Sequence, residues 1–250
     1  MPRYFLELAY KGKNYSGFQI QKNANSIQAE VEKALQTFFR QSFMLTGSSR
    51  TDGGVHALQN YFHFDYEGVI EKQVIYNLNA LLPPDIAIKG AYPVTPDAHC
   101  RFDALSREYR YHIYRKKNPF LTNRAYFFPY TLDREKLNAA AALIPQFREF
   151  AAFAKRNSQA KTFECTILES SWQEEENGLF YQVAANRFLR GMVRGLVGTM
   201  LQVGRGKIGI EEFAGILRNR DNQQADFSVP GHGLFLIRVA FPDSLLLPRG

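Results

Sequence analysis

Tyr4, Leu6, Leu8 and Tyr10 alternate with Phe5, Glu7 and Ala9, the period of two expected of a strand. Asn25-Ser26-Ile27-Gln28 follows as a helix cap with Gln at the third helical position. Ile27, Val31, Ala34, Leu35 and Phe38 then fall on one helical face. Residues 43–48 and 60–65 predict two strands, the second alternating Tyr61 and His63 with Phe62 and Phe64. Ile70, Val74, Leu78 and Leu81 predict a second helix, stopped by Pro83-Pro84. Residues 86–94 predict a further strand. The order is strand, helix, strand, strand, helix, strand.

A similar order follows residue 105. Residues 109–114 predict a strand, and Leu137 to Ile144 an Ala-rich helix ended by Pro145. Strands at 163–172 and 179–185 flank Asn177-Gly178, a strong hairpin turn signal. Residues 187–203 and 211–217 predict helices, and 234–241 a closing strand. The loops are 11–25, 116–131 and 219–233. The pattern predicts an α+β protein of two split-βαβ halves, each with helices on an antiparallel sheet. The boundary falls near 103–107, giving an N-terminal domain of 1–105 and a C-terminal domain of 106–250.

At 250 residues with 45% hydrophobic content the chain can bury a substantial core, and wholesale disorder is excluded. Lys and Arg number 31 against 24 Asp and Glu, a net charge of +7. With 21 Phe and 13 Tyr, that surplus makes nucleic acid the first partner to consider, since phosphates need cations and bases need flat faces. Cys100 and Cys165 are too few and too far apart for a disulfide framework and are expected to be reduced. No Cys/His group has zinc spacing. Glu7 interrupts any N-terminal signal core, and no uncharged run reaches membrane-spanning length. The expectation is a soluble, cytoplasmic protein.

The candidate chemistry lies between two predicted strands, in Ser48-Ser49-Arg50-Thr51-Asp52-Gly53-Gly54-Val55-His56-Ala57. Its glycines permit positive φ or close approach of another chain. On the residues alone the segment reads equally as a connecting loop with an Asx-turn at Asp52 and a solvated Arg50. No second carboxylate lies nearby to form a glycosidase pair. On a helix over 187–203, Arg187, Arg190 and Arg194 fall within about 60° of one another, on the side of Gly191 and Gly198. Such a basic, low-bulk face suits close approach of another backbone; a solvated Arg face is the plainer reading. Arg107, Arg110, Arg115, Lys116 and Lys117 form a basic stretch opposed only by Glu108.

Arg50-Thr51-Asp52-Gly53-Gly54-Val55-His56-Ala57 resembles the signature of the tRNA pseudouridine synthase A family. Six ordered blocks extend the resemblance over 230 residues. They are Tyr10-Lys11-Gly12 with Tyr15 to Gln19, Asn77 to Pro83, His99 to Phe102, Arg107 to Tyr111, Phe188 to Arg194, and Gly233 to Leu236. Phe18 stands where the family usually has Trp, Ser49 where it has Gly, and Gly53 where it more often has Ala.

The resemblance implies two ferredoxin-like (RRM-like) halves joined in one extended antiparallel sheet, with helices on one side and a basic cleft on the other. It implies a homodimer, needing no metal or organic cofactor, that isomerises uridine 38, 39 or 40 of the tRNA anticodon stem-loop to pseudouridine. Asp52 matches the catalytic aspartate, Tyr109 the active-site tyrosine and Arg194 the arginine that pairs with the aspartate. Leu234 matches an apolar residue beside the substrate. Arg50 is expected to reach toward the flipped nucleotide, and Arg107, Arg110, Arg187 and Arg190 to contact the tRNA. Attack by Asp52 on C1′, attack on C6 and removal of a sugar proton all fit the residues. A non-catalytic RNA-binding protein of two RRM-like halves would share the charge and aromatics without needing Asp52, although neither half carries a convincing aromatic RNP1 pattern.

Overall fold

A computed structural model describes residues 1–156 and 160–246. The chain is α+β and forms two compact units, Met1–Ser106 together with the segment from Leu236 onward, and Arg107–Phe235.

In the first unit, β1 (Arg3–Tyr10) lies between β3 (His56–Asp65) and β4 (Ile86–Val94), antiparallel to both. The short β2 (Thr46–Gly47) pairs with β3. The final strand, β9 (Leu234–Ala240), neighbours β3 on its other flank. Two helices, α1 (Ile27–Phe39) and α2 (Lys72–Leu81), pack against each other, and α2 against β4. The strand expected here forms, but it is buried on both faces from Tyr4 to Leu8, with Phe5, Leu6 and Leu8 fully buried, so no exposed face alternates with a buried one. Phe18 stacks on Phe62 at 4.5 Å between ring centres, so a Phe where the family usually has Trp is packed, not loose.

Two boundaries move for local reasons. The cap of α1 is Ser26 itself, whose Oγ accepts from the Ala29 N–H, so Gln28 stands at the second helical position. Gln28 instead donates to the Leu45 carbonyl while Glu32 accepts from the Leu45 N–H. Helix side chains thereby satisfy Leu45, and the strand expected over 43–48 contracts to Thr46–Gly47.

In the second unit, β5 (Ser106–Tyr114) pairs antiparallel with β8 (Gly178–Ala185), and β8 with β7 (Ile167–Glu175). The expected hairpin forms, with its turn one residue earlier: Glu175 pairs with Gly178, so Glu176-Asn177 make the turn and Gly178 opens β8. The two-residue β6 (Tyr126–Phe127) runs parallel to β5, so the fully antiparallel expectation gives way to a mixed pairing. The helices are α3 (Arg134–Leu143), α4 (Met192–Gly204) and α5 (Ile210–Asn219), packed on one another, with α3 also on β7. Residues 163–165, expected in the strand before the hairpin, bond back to 148–150 instead.

The helix expected over 187–203 starts only at Met192. Gly191 precedes it at φ +74°, a left-handed conformation that breaks the helix on its N-terminal side. Arg187 and Arg190 therefore lie in an irregular segment, and the three-arginine helical face does not exist. Only Arg194 is helical.

His63 is buried in the first unit, its Nδ1 accepting from the Cys100 N–H at 3.2 Å. Burial, then the His99 and Arg3 charges, push its pKa down to about 4. An unfolded histidine titrates near about 6.5, so the unfolded chain binds the proton first as pH falls. The neutral ring's contribution is complete above about 6.5 and is lost between there and about 4. His99, also lowered, adds to that window. His63→Gln is expected to flatten the dependence of urea-unfolding stability on pH between 6.5 and 4, with little change in slope below 4.

Candidate active site

The Asp52 loop begins where β2 ends and is built on a buried polar centre. Asn60 of β3 is fully buried. Its Oδ1 accepts from the Ser48 hydroxyl at 2.7 Å and the Tyr61 N–H at 2.9 Å. Its Nδ2 donates to the Tyr10 hydroxyl and the Ser49 carbonyl, both at 3.0 Å. Tyr10 in turn shares a 2.8 Å hydrogen bond with the Thr51 hydroxyl. One amide thus ties β1, β3 and the start of the loop together, with all four of its hydrogen-bonding positions used.

The 12–18 segment clamps the other side. The Phe18 N–H donates to the Thr51 carbonyl and the Gly54 N–H to the Tyr15 carbonyl. Gly17 and Asp52 form an isolated antiparallel bridge, with Gly17 at φ +129°. The Gly12 N–H donates to Nδ1 of the buried His56. A Cβ on Gly12 would lie 1.9 Å from the Val55 carbonyl oxygen, so only glycine permits this approach. The loop closes on itself through the Val55 N–H and the Asp52 carbonyl.

Asp52 is thereby half-buried on a backbone pinned at both sides. Arg50 is exposed and makes no hydrogen bond or ion pair among the described residues. Ser49, where the family usually has Gly, is not among the positive-φ residues, so its backbone is unstrained. Its buried Oγ has no hydrogen-bond partner among the described residues.

The remaining candidates lie in the second unit. Along β5, Arg107, Tyr109, Tyr111 and Ile113 are buried while Glu108, Arg110 and His112 alternate with them at partial exposure. The basic stretch read along the sequence is therefore divided between two faces. Arg107 donates to the Asn186 carbonyl at 2.9 Å. Arg110 donates to Gln182 at 2.8 Å, pairs with Glu108 at 3.5 Å and lies over the Phe180 ring. Tyr109 meets Phe188 edge-on at 5.1 Å. Arg187 donates to the Thr162 hydroxyl, while Arg190 is exposed and its carbonyl accepts from the Lys155 N–H.

Arg194 and Tyr111 meet through a segment that the pattern marked only as loop. Arg194 Nε donates to the Val229 carbonyl at 2.8 Å and its Nη2 to the Phe227 carbonyl at 3.2 Å. The Tyr111 hydroxyl donates to the next carbonyl, Pro230, at 2.8 Å. A Cβ on Gly198 would lie 2.1 Å from the Asp226 carbonyl oxygen, and one on Gly195 2.8 Å from the Phe227 ring. The low-bulk helix face thus receives the chain's own 226–230 strap. Burial works to raise the Asp226 pKa, but hydrogen bonds from Ser228 and Gln202 outweigh it and hold the carboxyl below its ordinary range. The strap leads through Gly233, whose Cα faces the Tyr111 ring, to buried Leu234 at the start of β9.

Asn60 and the 226–230 strap were not singled out from the sequence, and Tyr10 and His56 were noted only inside motif blocks, without a role of their own. The signal for the strap was Gly198, one of the two glycines noted in the sequence, since a helical glycine costs about 1 kcal/mol unless something needs the space; the other, Gly191, caps α4, and Gly195 was not noted. No group of three or more His, Cys, Asp or Glu side chains able to share a metal ion occurs among the described residues.

A family model described as tRNA pseudouridine synthase matches residues 8–103 and 147–242. The chain is 42% identical over 247 residues to tRNA pseudouridine synthase A of Parabacteroides distasonis, covering 98% of each chain. It is 43% identical over 246 residues to the protein of that name from Bacteroides fragilis, covering 97% of this chain and 98% of the other. The Staphylococcus aureus protein of that name is 35% identical over 248 residues, covering 98% of this chain and 93% of the other.

The two adjacent glycines of the loop are expected to differ. A Cβ on Gly53 meets its nearest atoms at 3.5 Å, ordinary contact. Gly53→Ala should therefore stabilise the protein by about 0.4–1 kcal/mol through the unfolded chain. Gly54 sits at φ +79°, and Gly54→Ala should cost about 1–2 kcal/mol. Asn60→Ala leaves several buried groups unpaired and should cost about 3 kcal/mol or more. Denaturant unfolding of the three variants checks all three values.

Proposed function

The chain belongs to the tRNA pseudouridine synthase family and is an isomerase that converts uridine in tRNA to pseudouridine; we propose that its targets are uridines 38, 39 and 40 of the anticodon stem-loop and that Asp52, Tyr109 and Arg194 carry the reaction. The observation that carries this reading is the Arg50–Ala57 block, with Asp52 held by backbone bonds on both sides.

The reaction breaks the N1–C1′ bond of uridine, forms a C5–C1′ bond and moves the C5 proton. It needs an anionic group at the sugar or base, and the Asp52 carboxylate supplies it. A carboxylate withdrawn from water stays ionised only if a cation or donors face it; Arg194 is assigned that role. Its guanidinium is preset, because Nε and Nη2 are held by the Val229 and Phe227 carbonyls. Tyr109 stacks on the released base and helps remove the C5 proton. Its buried ring, braced edge-on by Phe188, is a rigid surface for that purpose. Leu234 gives the base an apolar neighbour.

The target base lies within a stacked arm and must be flipped out before it can react. Arg50 is placed to follow it, being exposed two residues before Asp52 with no ion pair to break among the described residues. Arg187 and Arg190 are assigned phosphate contacts, which position the RNA without reading its sequence. Arg110 is assigned a weaker one, since Glu108 and Gln182 already occupy part of its guanidinium. Arg107 acts from inside the unit, orienting the irregular segment through Asn186.

The enzyme is proposed to work in the cytoplasm as a homodimer without a metal or organic cofactor. No described helix is long and apolar enough to cross a membrane.

Asp52→Asn keeps the shape of the side chain and removes its charge. Incubated with unmodified tRNA transcript, it should form pseudouridine on the order of ten-thousandfold more slowly than wild type, or not at all. Its affinity for tRNA should change less than about threefold. Carbodiimide mapping with the wild type should place the product at 38, 39 or 40. Full activity of the Asn variant removes Asp52 from the mechanism, and tRNA binding by the wild type without any product leaves the RNA-binding reading.

A further inference from the structure

We propose that the turn joining β5 to β6 is a stacking platform for an unpaired base of the tRNA substrate, with Phe120 as the ring and Lys116, Lys117 and Arg124 as its phosphate contacts. The proposal rests on the reading of the chain as an enzyme acting on tRNA, and it concerns nucleotides away from the reacting uridine.

Phe120 is 79% exposed and makes no ring contact with another aromatic or a cation among the described residues. A single exposed aromatic on a mobile loop would need no explanation. This one stands on a turn whose backbone is ordered by hydrogen bonds. Asn118 caps the turn, its Oδ1 accepting from the Phe120 N–H at 2.9 Å, and Pro119 stands at the first position of the short 3₁₀ helix. The Arg124 guanidinium donates to the Phe120 carbonyl at 2.6 Å. The Leu121 carbonyl accepts from both Arg124 and Ala125, and Ala125 is buried. These bonds fix the backbone of the turn, and with it the point from which the exposed ring projects.

Along the chain, the charge of the turn is of one sign. No Asp or Glu occurs from Tyr109 to Leu132. Lys116, Lys117 and Arg124 are exposed and make no ion pair among the described residues. Cations without an ion pair on the same turn as a flat, exposed ring match a nucleotide in both its parts, because phosphate takes the charge and every base offers a π-face. An acidic peptide would use the cations but gains nothing particular from a flat ring.

The position suits the same substrate. β5 carries Tyr109, and the strand runs five more residues to Tyr114 before the turn begins. At about 3.3 Å per residue that is about 17 Å, a distance that a stem of a few base pairs covers. The platform therefore adds affinity and register and takes no part in the chemistry.

Equilibrium binding of unmodified full-length tRNA transcript, measured across a KCl series, tests this without reference to turnover. Phe120→Ala should weaken binding about tenfold at every salt concentration and leave the slope of log affinity against log salt unchanged, since stacking releases no counterions. Phe120→Tyr should restore wild-type affinity, and Phe120→Leu should behave as the Ala variant. Lys116→Ala with Lys117→Ala should weaken binding and lower the slope by about one for each phosphate left without its cation. Because the turn is exposed, melting temperatures should not move. The proposal is overturned if Phe120→Ala binds within twofold of wild type, or if Phe120→Leu restores binding as well as Phe120→Tyr does. Normal pseudouridine formation with no effect at Phe120 removes the platform and leaves the isomerase intact. Absence of product with binding still dependent on Phe120 does the reverse.

Discussion

One buried amide organises the first unit. Asn60 uses both lone pairs and both protons inside the protein, on Ser48, Tyr61, Tyr10 and Ser49. Left unpaired in so dry a place, each of those groups would carry a desolvation penalty of about 1–3 kcal/mol, so the arrangement is close to all-or-none. Its consequence is directional. The chain leaving β2 is fixed at residues 48, 49 and 51, and Asp52 inherits that placement one residue later. A carboxylate on a loop keeps a fixed position only if the loop behaves like part of the scaffold, and here β3 supplies the scaffold through one side chain.

The second unit solves a similar problem with a cation. Arg194 stands in the first turn of α4, where helix N–H groups already bring positive potential, and its guanidinium is turned to the carbonyls of a crossing strap. Gly195 and Gly198 let the strap approach, and Tyr111 holds the next carbonyl. Arginine suits this because its planar fork fixes its own direction when two of its N–H groups are engaged. A lysine would keep the charge and lose the orientation. The strap, the helix start and the buried face of β5 therefore behave as one assembly inside this unit.

Several features were legible because they depend on neighbours a few residues away. The existence of β1 and of a hairpin close to Asn177-Gly178, and the stop of α2 before Pro83, all follow from local sterics and period. The Arg50–Ala57 block was legible as a motif, though its residues alone also fitted an ordinary Asx-turn. What failed depended on distant partners. The strand expected at 43–48 shortened because Gln28 and Glu32 of α1 took the Leu45 backbone groups. The helix expected from Arg187 began at Met192 because Gly191 adopts positive φ, a choice that hydrophobic spacing does not encode. Gly198 did signal a close approach, but not that the approaching backbone was residues 226–230 of the same chain.

The sequence by itself determined the α+β class, the order of the main elements apart from the two-residue β6, and the family, since these reside in short-range periodicity and in contiguous blocks of residues. It also named the groups able to do chemistry, because residue type is a property of the sequence. Tertiary structure decided how each group is held. Whether Arg107 is displayed or buried, which carbonyls orient Arg194, and which amide anchors the Asp52 loop all depend on pairings between residues far apart in the chain. Satisfying buried polar groups is a condition on the whole folded neighbourhood, and no local stretch of sequence contains enough of that neighbourhood to express it.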